Sequence, residues 1–232
     1  MVAIGAGRGS LTHRLASRAR QVIAVENDPS LVAALTHTQG VLPNVRVVPV
    51  DILEWPLPGG PFFVVANIPY AITTPILTKI LDPREHLTRG ALLVERGAAR
   101  RFTHERVLDP LILTWRIWFQ LTMAWTVPRT AFRPAPHVDS AVLVLDRIVP
   151  EAIPARFYRR MLAFAAYGLR APGESLGEIW RPLYSAEQLT RVLRSMGRAR
   201  DEPAASLAPD EWAILFSNMV EHVHPSRWPR GR

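Results

Sequence analysis

Short, mostly apolar runs recur along the chain, and each gives way to a glycine, an acid or an amide. Val2-Ala3-Ile4 leads into Gly5, residues 21–25 into Glu26, 45–50 into Asp51, Phe62-Phe63-Val64-Val65-Ala66 into Asn67, and Ala91-Leu92-Leu93-Val94 into Glu95. All read as strands. The run at 62–66, opened by Gly59-Gly60-Pro61, has the unbroken apolar character of a buried parallel strand. Helical signals lie between them. After Gly5-Ala6-Gly7-Arg8-Gly9 a helix is predicted with Leu11 and Leu15 on one face and Arg14 and Arg18 on the other. Asp28-Pro29 pairs an N-cap with a proline at the first helical position and opens a helix through about residue 38. Thr74 is expected to cap a helix begun by Pro75 and running to about Leu81, and Arg96, Arg100, Arg101 and Arg106 follow at helical spacing.

Residues 115–127 read as strand or strand approach, 132–140 as a proline-stiffened loop and 140–146 as a strand. Two apolar segments joined by a stiff loop suit a terminal antiparallel pair. Composition shifts near residues 148–154, so the expected domains are 1–147 and 148–232. The second carries helical signals alone, at 157–169, at 185–196 where Ser185 and Gln188 form a capping-box pattern, and at 209–220. The tail from His222 onward is expected to fray. His222 and His224 there have no companion ligands, and no metal is expected.

The strand ends hold the candidate chemistry. In open α/β sheets ligands bind at the carboxyl edge. A glycine-rich turn between strand and helix lets backbone approach a ligand, and Glu26 at the next strand end can accept both hydroxyls of a ribose. The spacing GxGxG, not GxGxxG, favours a nucleoside cofactor without a pyrophosphate. Asp51 can accept from an adenine amine with Ile52 against the ring, or simply begin a turn. Asn67-Ile68-Pro69-Tyr70 offers an amide acceptor, a carbonyl restrained by proline and a flat π face, a grip for an aromatic amine. The same residues would also serve as a plain strand exit.

Composition narrows the partners. The net charge of +8 is carried almost wholly by arginine, Lys79 being the only lysine. Guanidinium suits phosphates and bases, although arginine richness also follows genomic base composition and arginine runs often form solvated helix faces. With no cysteine there is no disulfide framework or thiolate site. No run approaches ~18 apolar residues and no signal peptide is evident, so the expectation is a cytoplasmic protein without a membrane partner.

Five motifs in order, IGAGRGSLT, VEND, DIL, NIPY and FRPAPHVDS, make the chain similar to the ribosomal RNA adenine N6-dimethyltransferases. The segment from Leu93 to Arg101 resembles the erythromycin-resistance branch, which acts on 23S rRNA. The resemblance implies an α/β fold, the Rossmann-like class I S-adenosylmethionine-dependent methyltransferase, with a mostly parallel sheet, one antiparallel strand and a small C-terminal helical domain. It implies S-adenosyl-L-methionine as methyl donor, held by Ile4, Gly5, Gly7, Gly9, Glu26, Asn27, Asp51, Ile52 and Asn67. Asn67 and the Ile68 carbonyl, restrained by Pro69, would bind the target amine, with Tyr70 and Phe132 stacked on the adenine. Arg96, Arg100, Arg101, Arg106 and Arg133 would meet the RNA. The partner implied is ribosomal RNA, 23S favoured, before full ribosome assembly, met by a monomer. The small-subunit 16S dimethyltransferase and a non-catalytic rRNA-binding factor are the alternatives. Family members carry a Gln-Asn/His-Phe motif ahead of the first strand and an acid two residues before the first glycine. Here the sequence starts at the strand and Ala3 holds the acid's position, so either a first segment is missing or the donor pocket lacks that wall.

Overall fold

The computed structural model describes residues 1–39 and 42–230. The chain forms two compact units, one of Met1–Thr103 with Gln120–Arg147 and one of His104–Phe119 with Ile148–Arg232. In chain order the elements are β1 (Val2–Ile4), α1 (Ser10–Ala16), β2 (Val22–Glu26), α2 (Pro29–Gln39), β3 (Val45–Pro49), β4 (Phe62–Asn67), α3 (Thr73–Ile80), β5 (Leu87–Glu95), α4 (Arg96–Thr103), α5 (Pro110–Trp118), β6 (Phe119–Val127) and β7 (Ser140–Arg147). There follow α6 (Tyr158–Gly168), α7 (Leu176–Trp180), α8 (Ala186–Ser195) and α9 (Pro209–His222).

The first unit is built on a seven-stranded sheet in the order β3-β2-β1-β4-β5-β7-β6. Strands β1 to β5 pair in parallel, while β7 lies antiparallel to β5 with Ser140 opposite Glu95. This is the expected Rossmann-like α/β sheet with its antiparallel strand. The chain runs outward from β1 to β3 and returns to β4 on the other side of β1, so the order reverses between β1 and β4, the switch point at which such sheets open a crevice. All of β1 is buried, as helix-covered parallel strands are. Strand β4 instead alternates, with Phe62, Val64 and Ala66 buried and Phe63 46% exposed, which corrects the reading of 62–66 as buried throughout. On α1 the buried face is Thr12 and Ala16, with Leu11 and Leu15 only half-buried. The helix after NIPY begins at Thr73 behind a 3-10 turn, Tyr70–Ile72, and Ile72 rather than Thr74 is its N-cap.

Within the second unit α5 packs against α6 and α9. Residues 115–118, expected as strand, are helical, because Asp109 Oδ1 accepts from the Leu111 and Ile112 N–H groups at 2.9 and 3.4 Å and Pro110 starts the first turn. The core is aromatic: Phe164 stacks on Trp180 at 4.4 Å between centroids, and the buried Tyr184 hydroxyl donates to the Leu215 carbonyl at 2.6 Å. Burial pushes that phenol's pKa up. Helix α7, which carries Trp180, was not anticipated; its N-cap is Ser175, whose hydroxyl accepts from Glu178 N–H. The tail is tied down rather than frayed as far as Trp228. Trp228 Nε1 donates to the Val223 carbonyl at 2.8 Å and Arg227 to the Pro182 carbonyl at 2.7 Å, while Gly231 and Arg232 lie outside the described residues. Among the described residues no helix is long and apolar enough to cross a membrane.

Candidate active site

Three strand ends and one loop converge at the switch point. Gly5, Gly7 and Gly9 all have positive φ, at 62°, 58° and 86°, a region that costs an L side chain energy. Gly5 also lies against the end of β4: an alanine Cβ there would stand 3.4 Å from the Asn67 carbonyl oxygen. The loop is pinned to β2 by Gly5 N–H and Ala6 N–H, which donate to the Val25 carbonyl at 3.0 and 3.2 Å.

Glu26 does more than end β2. It is only 7% exposed, and its Oε2 accepts from Gly7 N–H at 2.9 Å while Oε1 accepts from the N–H groups of Asn27 and Asp28 at 3.0 Å each. A carboxylate has about four acceptor sites, so some capacity remains for hydroxyl donors. Ile4 is buried beneath the loop and Asn27 is exposed beside it. At the end of β3, Asp51 Oδ1 accepts from Leu53 N–H at 2.8 Å, and Ile52 is buried. The loop beyond is held from α3 by Lys79, whose Nζ donates to the Leu53 carbonyl at 2.8 Å; burial lowers the pKa of that ammonium. Sequence reasoning did not single out this tether, which joins residues 26 positions apart.

On the β4 side, Asn67 is exposed and its side chain has no hydrogen-bond partner among the described residues. The Ile68 side chain is buried, its N–H donates to the Leu93 carbonyl at 3.2 Å, and its own carbonyl is unpartnered among the described residues. Pro69 is exposed and Tyr70 half-buried, with the Tyr70 hydroxyl 2.7 Å from Ser140 Oγ. Phe132 is half-buried after the 3-10 turn Arg129–Ala131.

The arginines divide. Arg100 and Arg101 are exposed on α4 and Arg133 on the proline-stiffened loop. Arg96, however, faces Asp139, with Nη1 3.6 Å from Oδ2, and so is partly committed to holding that loop. Arg106 lies beyond the end of α4 and in the second unit, so it does not continue the basic face of that helix. Arg96, Arg100 and Arg129 line a hollow of about 470 Å³ with His137, Glu95 and Asp139. Among the described residues no group of three or more His, Cys, Asp or Glu is arranged to hold a metal ion.

Comparison with known proteins agrees with this geometry. The family described as ribosomal RNA adenine dimethylase matches residues 1–166. An rRNA adenine N-6-methyltransferase of Bacillus licheniformis is 33% identical over 228 residues, covering 98% of this chain and 79% of that protein. A ribosomal RNA small subunit methyltransferase A of Leuconostoc citreum is 38% identical over 165 residues, 66% of this chain and 56% of that one. The crystal structure of the 23S rRNA methyltransferase ErmE superposes with a TM-score of 0.80 at 28% identity, covering 94% of this chain and 90% of that one. With a glycine loop, an acidic strand end and NIPY on one sheet edge, and with the family matched from residue 1 to 166, the chain belongs to the ribosomal RNA adenine dimethylases, S-adenosylmethionine-dependent rRNA adenine N6-methyltransferases.

Proposed function

We propose that this protein methylates N6 of one adenine in 23S rRNA before the large ribosomal subunit is fully assembled, acting as a monomer and blocking macrolide-type antibiotics. The observation that carries the reading is the closeness of the bare Gly5 backbone to the strand end bearing an unpartnered, exposed Asn67. That arrangement fits a donor beside an acceptor amine. Gly5, Gly7 and Gly9 take the methionine part over Ile4, Glu26 and Asn27 the ribose, and Asp51 with Ile52 the adenine. S-adenosylmethionine supplies an electrophilic methyl group when bound there.

The chain's own residues then prepare the nucleophile. The lone pair of adenine N6 is delocalised into the ring, which makes the amine a poor nucleophile. Asn67 Oδ1 and the Ile68 carbonyl, held at a fixed angle by Pro69, accept its two hydrogens and draw the nitrogen toward a geometry that frees the pair. With the donor bound, this positioning of the amine by Asn67 and Ile68 would supply most of the acceleration, the methyl carbon–sulfur bond breaking as the nitrogen–carbon bond forms and the neutral thioether leaving. No strong base is needed, because the methylated nitrogen is acidic enough to release its proton to water. Taking the base out of its stack costs a few kcal/mol, part of which stacking on Tyr70 and Phe132 returns. Arg100, Arg101 and Arg133 meet phosphates, and Arg96 supports the loop. The 23S target is favoured by extent of match: 98% of the chain aligns with the Bacillus licheniformis methyltransferase and 94% with ErmE, against 66% with the small-subunit enzyme.

The test offers purified protein both protein-free rRNAs with labelled donor and maps the modified base by primer extension. Label is expected at one adenine of the 23S RNA, and none with Asn67→Ala, whose RNA affinity stays near wild type. Label confined to 16S RNA would transfer the protein to the small-subunit branch; RNA binding without label would make it a binding factor.

A further inference from the structure

The last two residues of FRPAPHVDS stand where the stiff loop turns into β7, and both reach back toward the aromatic pair. Ser140 is fully buried, with its Oγ 2.7 Å from the Tyr70 hydroxyl. Asp139 ties down the rest of the loop: its carbonyl accepts from Arg96 N–H at 3.0 Å, and its Oδ1 accepts from Arg129 N–H at 3.0 Å. Phe132 N–H in turn donates to the Arg129 carbonyl at 3.2 Å. A continuous path of bonds therefore runs from the Tyr70 ring through Ser140, Asp139 and Arg129 to Phe132.

Stacking needs only a ring face, so the phenolic hydroxyl of Tyr70 adds nothing to it. The hydroxyl matters for where the ring stands. A half-buried ring on a short turn has rotational freedom about two torsions, and a hydrogen bond to a rigid strand removes it. We propose that Ser140 is a positioning residue for methyl transfer: by holding the Tyr70 phenol, and through Asp139 the turn that carries Phe132, it fixes the faces between which the target adenine is gripped. The proposal rests on the reading of Asn67 and Tyr70 as the acceptor site. It also gives the serine of the motif a task beyond ending a loop.

The measurement uses the intact protein with protein-free rRNA and compares Tyr70→Phe, Ser140→Ala and the double variant. Each single change is expected to lower kcat about tenfold, since small misplacements at the reacting centre are costly. KM for RNA should stay within about twofold and the double variant be no slower than either single one, as for residues acting as a unit. Tyr70→Phe removes the bond from the half-buried side and leaves the buried serine intact, so it decides the matter even if Ser140→Ala folds poorly. Full kcat in Tyr70→Phe, losses that multiply in the double variant, or a change confined to KM would overturn the proposal. Tyr70→Ala inactive beside a fully active Tyr70→Phe would overturn it while leaving the acceptor site standing. A wild-type protein that methylates no rRNA would remove both.

Discussion

Glu26 is the residue on which most depends. Its carboxylate gathers three backbone N–H groups, one of them from the glycine loop, so it shapes the cradle before any ligand arrives. Glu26→Gln replaces an acceptor with an amide NH2 that must confront at least one of those donors. Leaving a buried donor unmatched costs about 1–3 kcal/mol, which chemical denaturation would register. Calorimetry with S-adenosylmethionine should also show at least about tenfold weaker binding, because each 1.4 kcal/mol is a factor of ten. Unchanged stability and affinity would mean that the loop holds its shape without this carboxylate. Glu26, Asn67 and the glycines stand out as candidates in the sequence alone, since strand-end position and residue chemistry are local. Ser140 and Lys79 carried no such local signal as site residues: their partners, Tyr70 and Leu53, lie 70 and 26 residues away, and only folding joins them.

At the level of elements, caps and periodicity were legible where one signal dominated. Asp28-Pro29 opened α2 and Ser185 with Gln188 closed a capping box on α8, as the motifs indicate. The failure at residues 115–118 came from weighing aromatic and β-branched content above the Asp109-Pro110 start signal; in α5 those bulky residues are core-facing, and burial overrides propensity. Helix α4 keeps Arg100 and Arg101 exposed, and changing both to Ala should weaken RNA binding and reduce the salt slope by about one for each phosphate no longer neutralised. Equal affinity across salt would remove the helix from the RNA interface. In the second unit Arg198 grips Glu211 with Nε and Nη2 at 2.6 and 2.8 Å and Glu202 with Nη1 at 2.9 Å, clipping the start of α9. The guanidinium holds Glu211 below its ordinary pKa, and Ala199 N–H followed by Arg198 does the same for Glu202. Carboxylates depressed on folding stabilise at pH above their unfolded value of about 4.3, and that contribution is lost as pH falls through the folded values. Arg198→Ala should therefore lower the denaturation midpoint at neutral pH, with the gap from wild type closing below about pH 4.

For the whole molecule, topology was within reach of the sequence but the division of the chain was not. Ordered strand-end motifs pointed to the crevice at the switch point as the candidate site, whereas a composition shift near residue 148 hid that the second unit also claims His104–Phe119. A helix inserted between two strands of the sheet carries no compositional flag, because its apolar residues resemble those of the strands around it. The consequence bears on how the protein can be cut. A fragment ending at Arg147 retains α5 but loses α6 and α9, against which α5 packs. Ile112, Leu113, Trp115, Ile117 and Trp118, all buried in the intact chain, would lose that cover. At about 1.5–3 kcal/mol for each large apolar side chain, the loss rivals the 5–15 kcal/mol that holds a typical domain together. Residues 1–147 alone are therefore expected to aggregate or to bind a hydrophobic dye strongly, without a cooperative melt. Replacing residues 104–119 in that fragment with a short polar linker should restore solubility. A monomeric fragment 1–147 with a sharp melting transition would show that α5 needs no C-terminal helices and that the sheet unit is self-sufficient through Arg147.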